Sequence, residues 1–275
     1  MRIFIISDME GVAGITKWAQ VDSAEALYEE GRRLYTEEIN AAARGAFAAG
    51  AGEVVAMDCH GAGGDSSFNS LIPDRLDERL EFVVQREWTE YTELLEQGCD
   101  AALLVGMHAM AGTPDGGLNH TVSSTHWRSL RFNGVEVGEL GINAALCGQF
   151  GCPVLLVTGD EAVCREGVSL LGEGLRGVAV KRSLGRFSAR HKTPARARQM
   201  IEQGAREALR DLSAVAPWDP GRPSEITIEL AASDHAEQFR FRPEVEVVDS
   251  RTIVSRADDW LTAWRQLFLS YSWPD

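Results

Sequence analysis

The stretch "IFIISDMEGVAGIT", residues 3–16, decides the fold prediction. It opens with four apolar, strand-forming residues and is therefore typical of a buried β-strand. Asp8 and Glu10 follow two residues apart, and side chains at that spacing point the same way along an extended chain. Two buried carboxylates repel each other. The stretch therefore predicts a strand whose end delivers two carboxylates to one place, with a cation between them.

The chain beyond this strand alternates between two patterns. Apolar runs at 53–58, 80–84, 101–106 and 153–160 alternate with segments of helical spacing at 23–49, 138–151, 161–171 and 194–212. Runs that are apolar on both faces suit a parallel sheet covered on both sides. We therefore predict an α/β protein with a mostly parallel sheet flanked by helices.

The segment 126–140 has a different texture, because Asn133-Gly134 separates two alternating stretches and predicts a β-hairpin. A turn-rich stretch, "PWDPGRP", occupies 217–223. Beyond it we predict a strand at 225–230, an extended stretch near 244–248 and a closing amphipathic helix at 256–273. The predicted organisation is a metal-binding catalytic α/β domain over 1–215 and a smaller α+β portion over 216–275 packed on it.

Composition limits the partners. The 275 residues include 27 Lys plus Arg and 41 Asp plus Glu, a formal net charge of -14. Such a surface disfavours nucleic acid and anionic membranes, and it suits metal cations or substrates with a free amine. We find neither a signal-peptide pattern nor an apolar run of about 18 residues, so we expect a cytoplasmic protein without a membrane span. Five cysteines without CxxC spacing indicate reduced thiols.

Side chains that bind metals follow several predicted strands. Ligands of open α/β sheets bind outside the carboxyl ends of the strands. The first strand delivers Asp8 and Glu10 there, the second His60 and the fourth His108, while Glu139 begins the helix after the hairpin. Three carboxylates and two imidazoles exceed the needs of one tetrahedral ion. We predict two divalent cations bridged by Asp8, with zinc favoured and manganese or iron as alternatives.

The sequence is also compatible with other roles for these residues. His120, in the polar loop "GGLNHTVSS", suits a sixth ligand, a general acid or base, or a solvent-exposed residue. The carboxylates taken singly also suit helix caps, and the histidines suit hydrogen bonds in the core. The glycine-rich "HGAGGDSS" at 60–67 lacks the GxxxxGK[ST] pattern, so we do not predict a phosphate-binding loop.

Five motifs in this order, "SDMEGVAGI", "DCHG", "GMHAMAGTP", "NHT" and "NGVEVGELGINA", resemble the zinc-dependent D-aminopeptidase family of bacterial dipeptide-transport operons, peptidase family M55. The resemblance implies removal of N-terminal D-amino acids such as D-alanine from short peptides or amides. It implies a cytoplasmic, ring-like homo-oligomer, such as a decamer, whose active sites face an internal channel. It also implies a binuclear zinc centre held by Asp8, Glu10, His60, His108 and Glu139, with His120 as nucleophile or general base.

Two departures from the family pattern surround His60. Cys59 stands where many members have serine, and the loop after His60 is unusually rich in glycine. Neither departure removes a predicted ligand, but both lie where they could change substrate preference. The alternative functions are a metal-dependent hydrolase of another amide or of a phosphoester, and a metal-binding protein without turnover.

Overall fold

Two β-sheets organise the chain, and the computed structural model describes residues 1–86 and 90–268. The strands in chain order are β1 (Arg2–Ser7), β2 (Glu53–Asp58), β3 (Glu81–Val83), β4 (Ala101–Met107), β5 (Trp127–Phe132), β6 (Val135–Val137), β7 (Val154–Asp160), β8 (Arg176–Gly185), β9 (Ser188–His191), β10 (Ser224–Leu230), β11 (Val245–Val247) and β12 (Thr252–Ala257). The α-helices are α1 (Tyr28–Ala48), α2 (Glu93–Glu96), α3 (Glu139–Gln149), α4 (Glu161–Leu171), α5 (Pro194–Ala208), α6 (Ser233–Glu237) and α7 (Trp260–Phe268).

The larger sheet has the strand order β3-β2-β1-β4-β7-β8-β9, and its neighbours are parallel except for β8 and β9. From β1 the sheet continues through β2 to the edge strand β3. From β4 it continues through β7 and β8 to the opposite edge strand, β9. The strand order therefore reverses between β1 and β4. Open α/β sheets bind their ligands at such a switch point, outside the carboxyl ends of the strands.

Helices cover the larger sheet, as its apolar strands require. Helices α1 and α5 pack against each other and against the central strands, while α3 and α4 pack together and contact β4 and β7. Every residue of β4 and β7 is buried. The predicted fold class, a mostly parallel sheet flanked by helices, is confirmed. Within the described residues, we find no helix with both the length and the apolar character that crossing a bilayer requires.

The smaller sheet is antiparallel, with the strand order β11-β12-β10-β5-β6. Its β5–β6 hairpin turns at Asn133 and Gly134, whose positive φ angles of 46° and 83° suit the primed turns that join antiparallel strands. Helix α7 packs on β10 and β12, and its buried Trp260 and Trp264 contact the ring of Phe132. The sheet thus joins strands from before and after residue 215, and the division of the chain there stays a prediction.

Some element boundaries differ from the sequence-based expectation. Helix α1 begins at Tyr28 instead of residue 23, because the Asp22 carboxylate accepts a hydrogen bond from the backbone N–H of Ala24 at 2.9 Å and holds a turn. The closing helix begins at Trp260 instead of residue 256, because β12 extends to Ala257. The predicted end of that helix, after residue 268, lies outside the described residues.

A close backbone approach joins the ends of β1 and β4. Gly106 has a φ of +76°, and a Cβ added there would lie 2.0 Å from the carbonyl oxygen of Asp8. Only glycine accommodates both the conformation and the contact. The backbone N–H of Asp8 also donates to the carbonyl of Val105 at 2.8 Å. The residues that follow β1 are therefore fixed against those that follow β4.

Candidate metal centre

The side chains predicted from strand ends meet at the switch point. Asp8 follows β1 directly, His108 follows β4 directly, and His60 lies two residues beyond β2. Asp8, Glu10, His60 and His108 are all buried, with 2–3% of each residue exposed. Parallel neighbours place their carboxyl ends at the same edge of the sheet, which brings these side chains together.

Asp8 lies at the middle of the cluster. Its Oδ1 is 3.4 Å from Nδ1 of His60, and its Oδ2 is 3.2 Å from Nε2 of His108. Glu10 Oε2 lies 3.1 Å from the same nitrogen of His60, and Glu139 Oε1 lies 3.5 Å from the same nitrogen of His108. The two oxygens of Asp8 therefore face two separate groups, each made of one imidazole and one further carboxylate.

His120 and Glu139 form the more open side of the cluster. Glu139 is the first residue of α3, and its Oε1 accepts a hydrogen bond from the backbone N–H of Val122 at 2.8 Å. The His120 ring stacks on His108, with centroids 4.1 Å apart, and its Nε2 is 3.7 Å from Glu139 Oε1. The side chains of His120 and Glu139 are 12% and 19% exposed. A ligand arriving from solvent would meet these two residues first.

Backbone carbonyls fix the ring orientation of all three histidines. A carbonyl oxygen only accepts, so the ring nitrogen beside it carries a proton, and the opposite nitrogen is the one whose lone pair a cation can bind when the ring is neutral. In each ring the opposite nitrogen faces the carboxylates. The hydrogen-bonded pairs are His60 Nε2 with Val21 O at 2.7 Å, His108 Nδ1 with Ala109 O at 2.9 Å and His120 Nδ1 with Leu118 O at 2.9 Å.

Buried polar atoms without hydrogen-bond partners indicate that the residues of the cluster fit a metal ion. Asp8 Oδ2, Glu10 Oε2 and His108 Nε2 are buried and make no hydrogen bond within residues 1–86 and 90–268. Such atoms are rare in folded proteins unless an ion or water completes them. Candidate ligand atoms of Asp8, Glu10 and His108 lie within 4.8 Å of one another, as do those of His108, His120 and Glu139. Imidazole and carboxylate donors together suit zinc.

The electrostatics of the cluster favour positive charge between its carboxylates. Burial and the charge of Glu10 raise the pKa of Asp8 to about 7. Burial opposes a charge on Glu10 as well, but His60 outweighs it and lowers the pKa of Glu10 well below its usual range. Burial likewise opposes protonation of His60 and His108, yet Glu10 and Glu139 respectively raise the pKa of these imidazoles well above the usual value.

Comparison with known proteins is consistent across sequence and structure. A family model for D-aminopeptidase, peptidase family M55, matches residues 1–269. A D-aminopeptidase of Bacillus subtilis (strain 168) is 31% identical over 271 residues, which are 98% of this chain and 96% of the relative. The solved structure of Zn-dependent D-aminopeptidase DppA from Bacillus subtilis, a self-compartmentalizing protease, matches with a TM-score of 0.89 and 30% identity, covering 97% of this chain and 95% of that one.

Asp160 is a residue of the site region that the sequence analysis missed. It ends β7 and is fully buried. Its Oδ1 caps α4 by accepting from the backbone N–H of Val163, and its Oδ2 accepts from the N–H of Gly117 at 2.8 Å. Asp160 thereby anchors the loop that carries His120. The sequence does contain a signal for Asp160, because this aspartate ends an apolar strand, as Asp58 does.

Lys181 is a second such residue, and it lies on β8. It is 3% exposed, and its Nζ donates hydrogen bonds to the backbone carbonyls of Glu10, Val12 at 3.3 Å and Ile15 at 2.8 Å. The ammonium group thus holds the loop that carries Glu10. Burial lowers the pKa of Lys181 to about 8. A single lysine in a strand gives no sequence signal for this role, because the loop that it holds is more than 160 residues away.

We expect the substitution Lys181→Met to lower the free energy of unfolding by about 3 kcal/mol, because three buried carbonyls would lose a charged donor. Lys192→Met is the matched control, since this exposed lysine lies just beyond β9, and its effect should stay within about 0.5 kcal/mol. Urea unfolding of both variants measures the difference. Equal losses in the two variants would contradict the role assigned to Lys181.

Proposed function

The chain belongs to the D-aminopeptidase family, peptidase family M55, and from this membership we propose that it is a binuclear zinc aminopeptidase. Its substrates in this proposal are short peptides or amides with a free N-terminal D-amino acid, such as D-alanine. The relatives support the reaction and the use of zinc. The observation that carries the proposal is the position of Asp8, whose two oxygens face two different imidazoles.

In the proposed centre, Asp8, Glu10 and His60 would hold one zinc ion. Asp8, His108 and Glu139 would hold the other. The contacts that support this division are the distances of 3.1 Å from Glu10 to His60 and 3.5 Å from Glu139 to His108. Zinc bound there would polarise the substrate carbonyl and lower the pKa of a water molecule toward neutrality.

His120 performs the proton transfer in this proposal. Its Nδ1 donates to the carbonyl of Leu118, so Nε2 is the nitrogen that accepts a proton from water and returns it to the leaving amine. The indole of Trp18 contacts the His120 ring edge-on, with centroids 5.6 Å apart, and His108 stacks on it. These contacts hold the ring in one orientation, which proton transfer requires.

We further propose that the chain forms a closed homo-oligomer, with ten subunits as the specific number. The support is the self-compartmentalizing character of the DppA relative. Exposed apolar side chains on the C-terminal portion, Phe241 at 91% and Val248 at 53%, are consistent with further burial in an assembly. The acidic chain, with its net charge of -14, also suits a substrate whose amine carries positive charge.

We expect zinc-dependent release of D-alanine from D-alanyl-D-alanine. A chelator should abolish the activity and added zinc should restore it, because the buried carboxylates and imidazoles of the centre hold the ions. L-alanyl-L-alanine and a phosphoester dye serve as comparison substrates. Amine release and dye release measure the two chemistries. Zinc-dependent cleavage of the dye alone would replace the proposal with a phosphoesterase, and no cleavage by the zinc-loaded protein would favour a non-catalytic metal protein.

We expect His120→Ala to lower kcat for D-alanyl-D-alanine by about 10²–10⁴-fold. Zinc content should stay the same, since five other side chains supply the proposed ligands. His235→Ala is the matched control, because this histidine on α6 packs against His126 outside the cluster. Steady-state kinetics and metal analysis on the same samples separate the two effects. Full activity in the His120 variant would remove its role in proton transfer.

A further inference from the structure

A guanidinium group lies against two aromatic rings at the turn joining β8 and β9. The Arg186 Cζ atom is 5.5 Å from the centroid of the Trp18 ring and 5.7 Å from that of Phe187. The two rings contact each other edge-on at 6.4 Å. Ring faces attract and orient a guanidinium group without using its N–H donors. Arg186 is therefore held in position while its hydrogen-bonding capacity stays free.

No carboxylate pairs with Arg186 in the described part of the chain, and its buried Nε has no hydrogen-bond partner there. Arg182, on the adjoining strand, instead lies 3.5 Å from Glu161. The planar fork of an arginine matches both oxygens of a carboxylate. The group is thus suited to a carboxylate that the chain itself does not supply.

Arg186 is linked to His120 by two routes. The Trp18 ring, which contacts the guanidinium, also contacts the His120 ring at 5.6 Å. The backbone carbonyl of Arg186 accepts a hydrogen bond from the N–H of Leu118 at 2.7 Å, and the carbonyl of Leu118 in turn orients His120. One indole ring therefore separates the guanidinium from the proposed proton-transfer residue.

This spacing matches a short peptide. An extended residue spans about 3.3–3.6 Å, so the C-terminal carboxylate lies about 3.5 Å from the first carbonyl in a dipeptide and about 7 Å in a tripeptide. The hydrogen bonds at the two ends add about 3 Å each. The contacts of Trp18, 5.5 Å to the guanidinium and 5.6 Å to His120, limit the separation of those two groups to about 11 Å. A dipeptide or tripeptide whose first carbonyl is at the metal centre can therefore place its far end at Arg186. Longer peptides would extend past the guanidinium.

We propose that Arg186 binds the C-terminal carboxylate of the peptide substrate and so selects di- and tripeptides with a free C-terminus. The inference rests on the proposed aminopeptidase function and adds a subsite to it. The guanidinium donates two parallel N–H···O hydrogen bonds to the carboxylate, while Trp18 and Phe187 keep it oriented. Arg186 contacts a carboxylate that takes no part in bond breaking, and its effect falls mainly on KM.

The test compares D-alanyl-D-alanine with its C-terminal amide as substrates of the zinc-loaded enzyme. Wild type should favour the free acid by about tenfold to a hundredfold in kcat/KM, the range of a charge-assisted pair. Arg186→Gln should lose that preference through a higher KM for the acid, with amide hydrolysis unchanged. Arg186→Lys should restore part of it. The control Arg79→Gln, which removes a guanidinium stacked on Phe47, should keep the wild-type preference.

Unchanged amide hydrolysis shows that each variant is folded and active. An acid-to-amide ratio in Arg186→Gln equal to that of wild type would overturn the inference while the aminopeptidase function stands. D-Alanyl-D-isoglutamine carries its only carboxylate on a side chain, so it tests whether Arg186 binds a side-chain carboxylate instead of the C-terminal one. If it matched the free acid in wild type, recognition of the C-terminus would be wrong. If wild type hydrolysed neither peptide nor amide, the proposed function itself would fail, and the subsite with it.

Discussion

The repulsion between buried carboxylates is the constraint on which the rest of the site depends. Asp8 and Glu10 are each 3% exposed, and the group that they form shares His108 with the group of Glu139. Carboxylates removed from water are unfavourable as anions unless positive charge is close to them. Protonated histidines can supply that charge, and so can divalent cations held between the same groups. The proposed zinc centre is the second of these solutions, and it also completes the buried atoms that lack hydrogen bonds.

The fold satisfies this constraint with backbone geometry. The switch point between β1 and β4 brings Asp8 and His108 to the same edge of the sheet. Gly106 permits the close contact between the two backbone segments that carry them. Carbonyl oxygens at Val21, Ala109 and Leu118 orient the imidazoles. Lys181 holds the loop of Glu10 by donating hydrogen bonds to three backbone carbonyls of that loop. Backbone contacts thus position the proposed ligands, which is how precise metal sites are built.

Local sequence was sufficient to predict the features that depend on where strands end. The strand before Asp8, the strand before His108 and the Asn133-Gly134 hairpin all follow from periodicity and turn chemistry, and the structure contains them. Contacts between distant segments left no local pattern. Lys181 meets the loop of Glu10 across some 170 residues, and Arg186 meets Trp18 across a similar distance. The pairing of β10 with β5 in one sheet was likewise not predictable, because the alternation of apolar and polar residues along a strand does not identify its partner strand.

The positions of the bound cations show whether Asp8 bridges two of them, as we propose. Anomalous scattering at the zinc absorption edge, from crystals grown with zinc, locates each ion without reference to activity. We expect two peaks per chain, one between Asp8, Glu10 and His60 and the other between Asp8, His108 and Glu139. A single peak, or peaks away from Asp8, would contradict it.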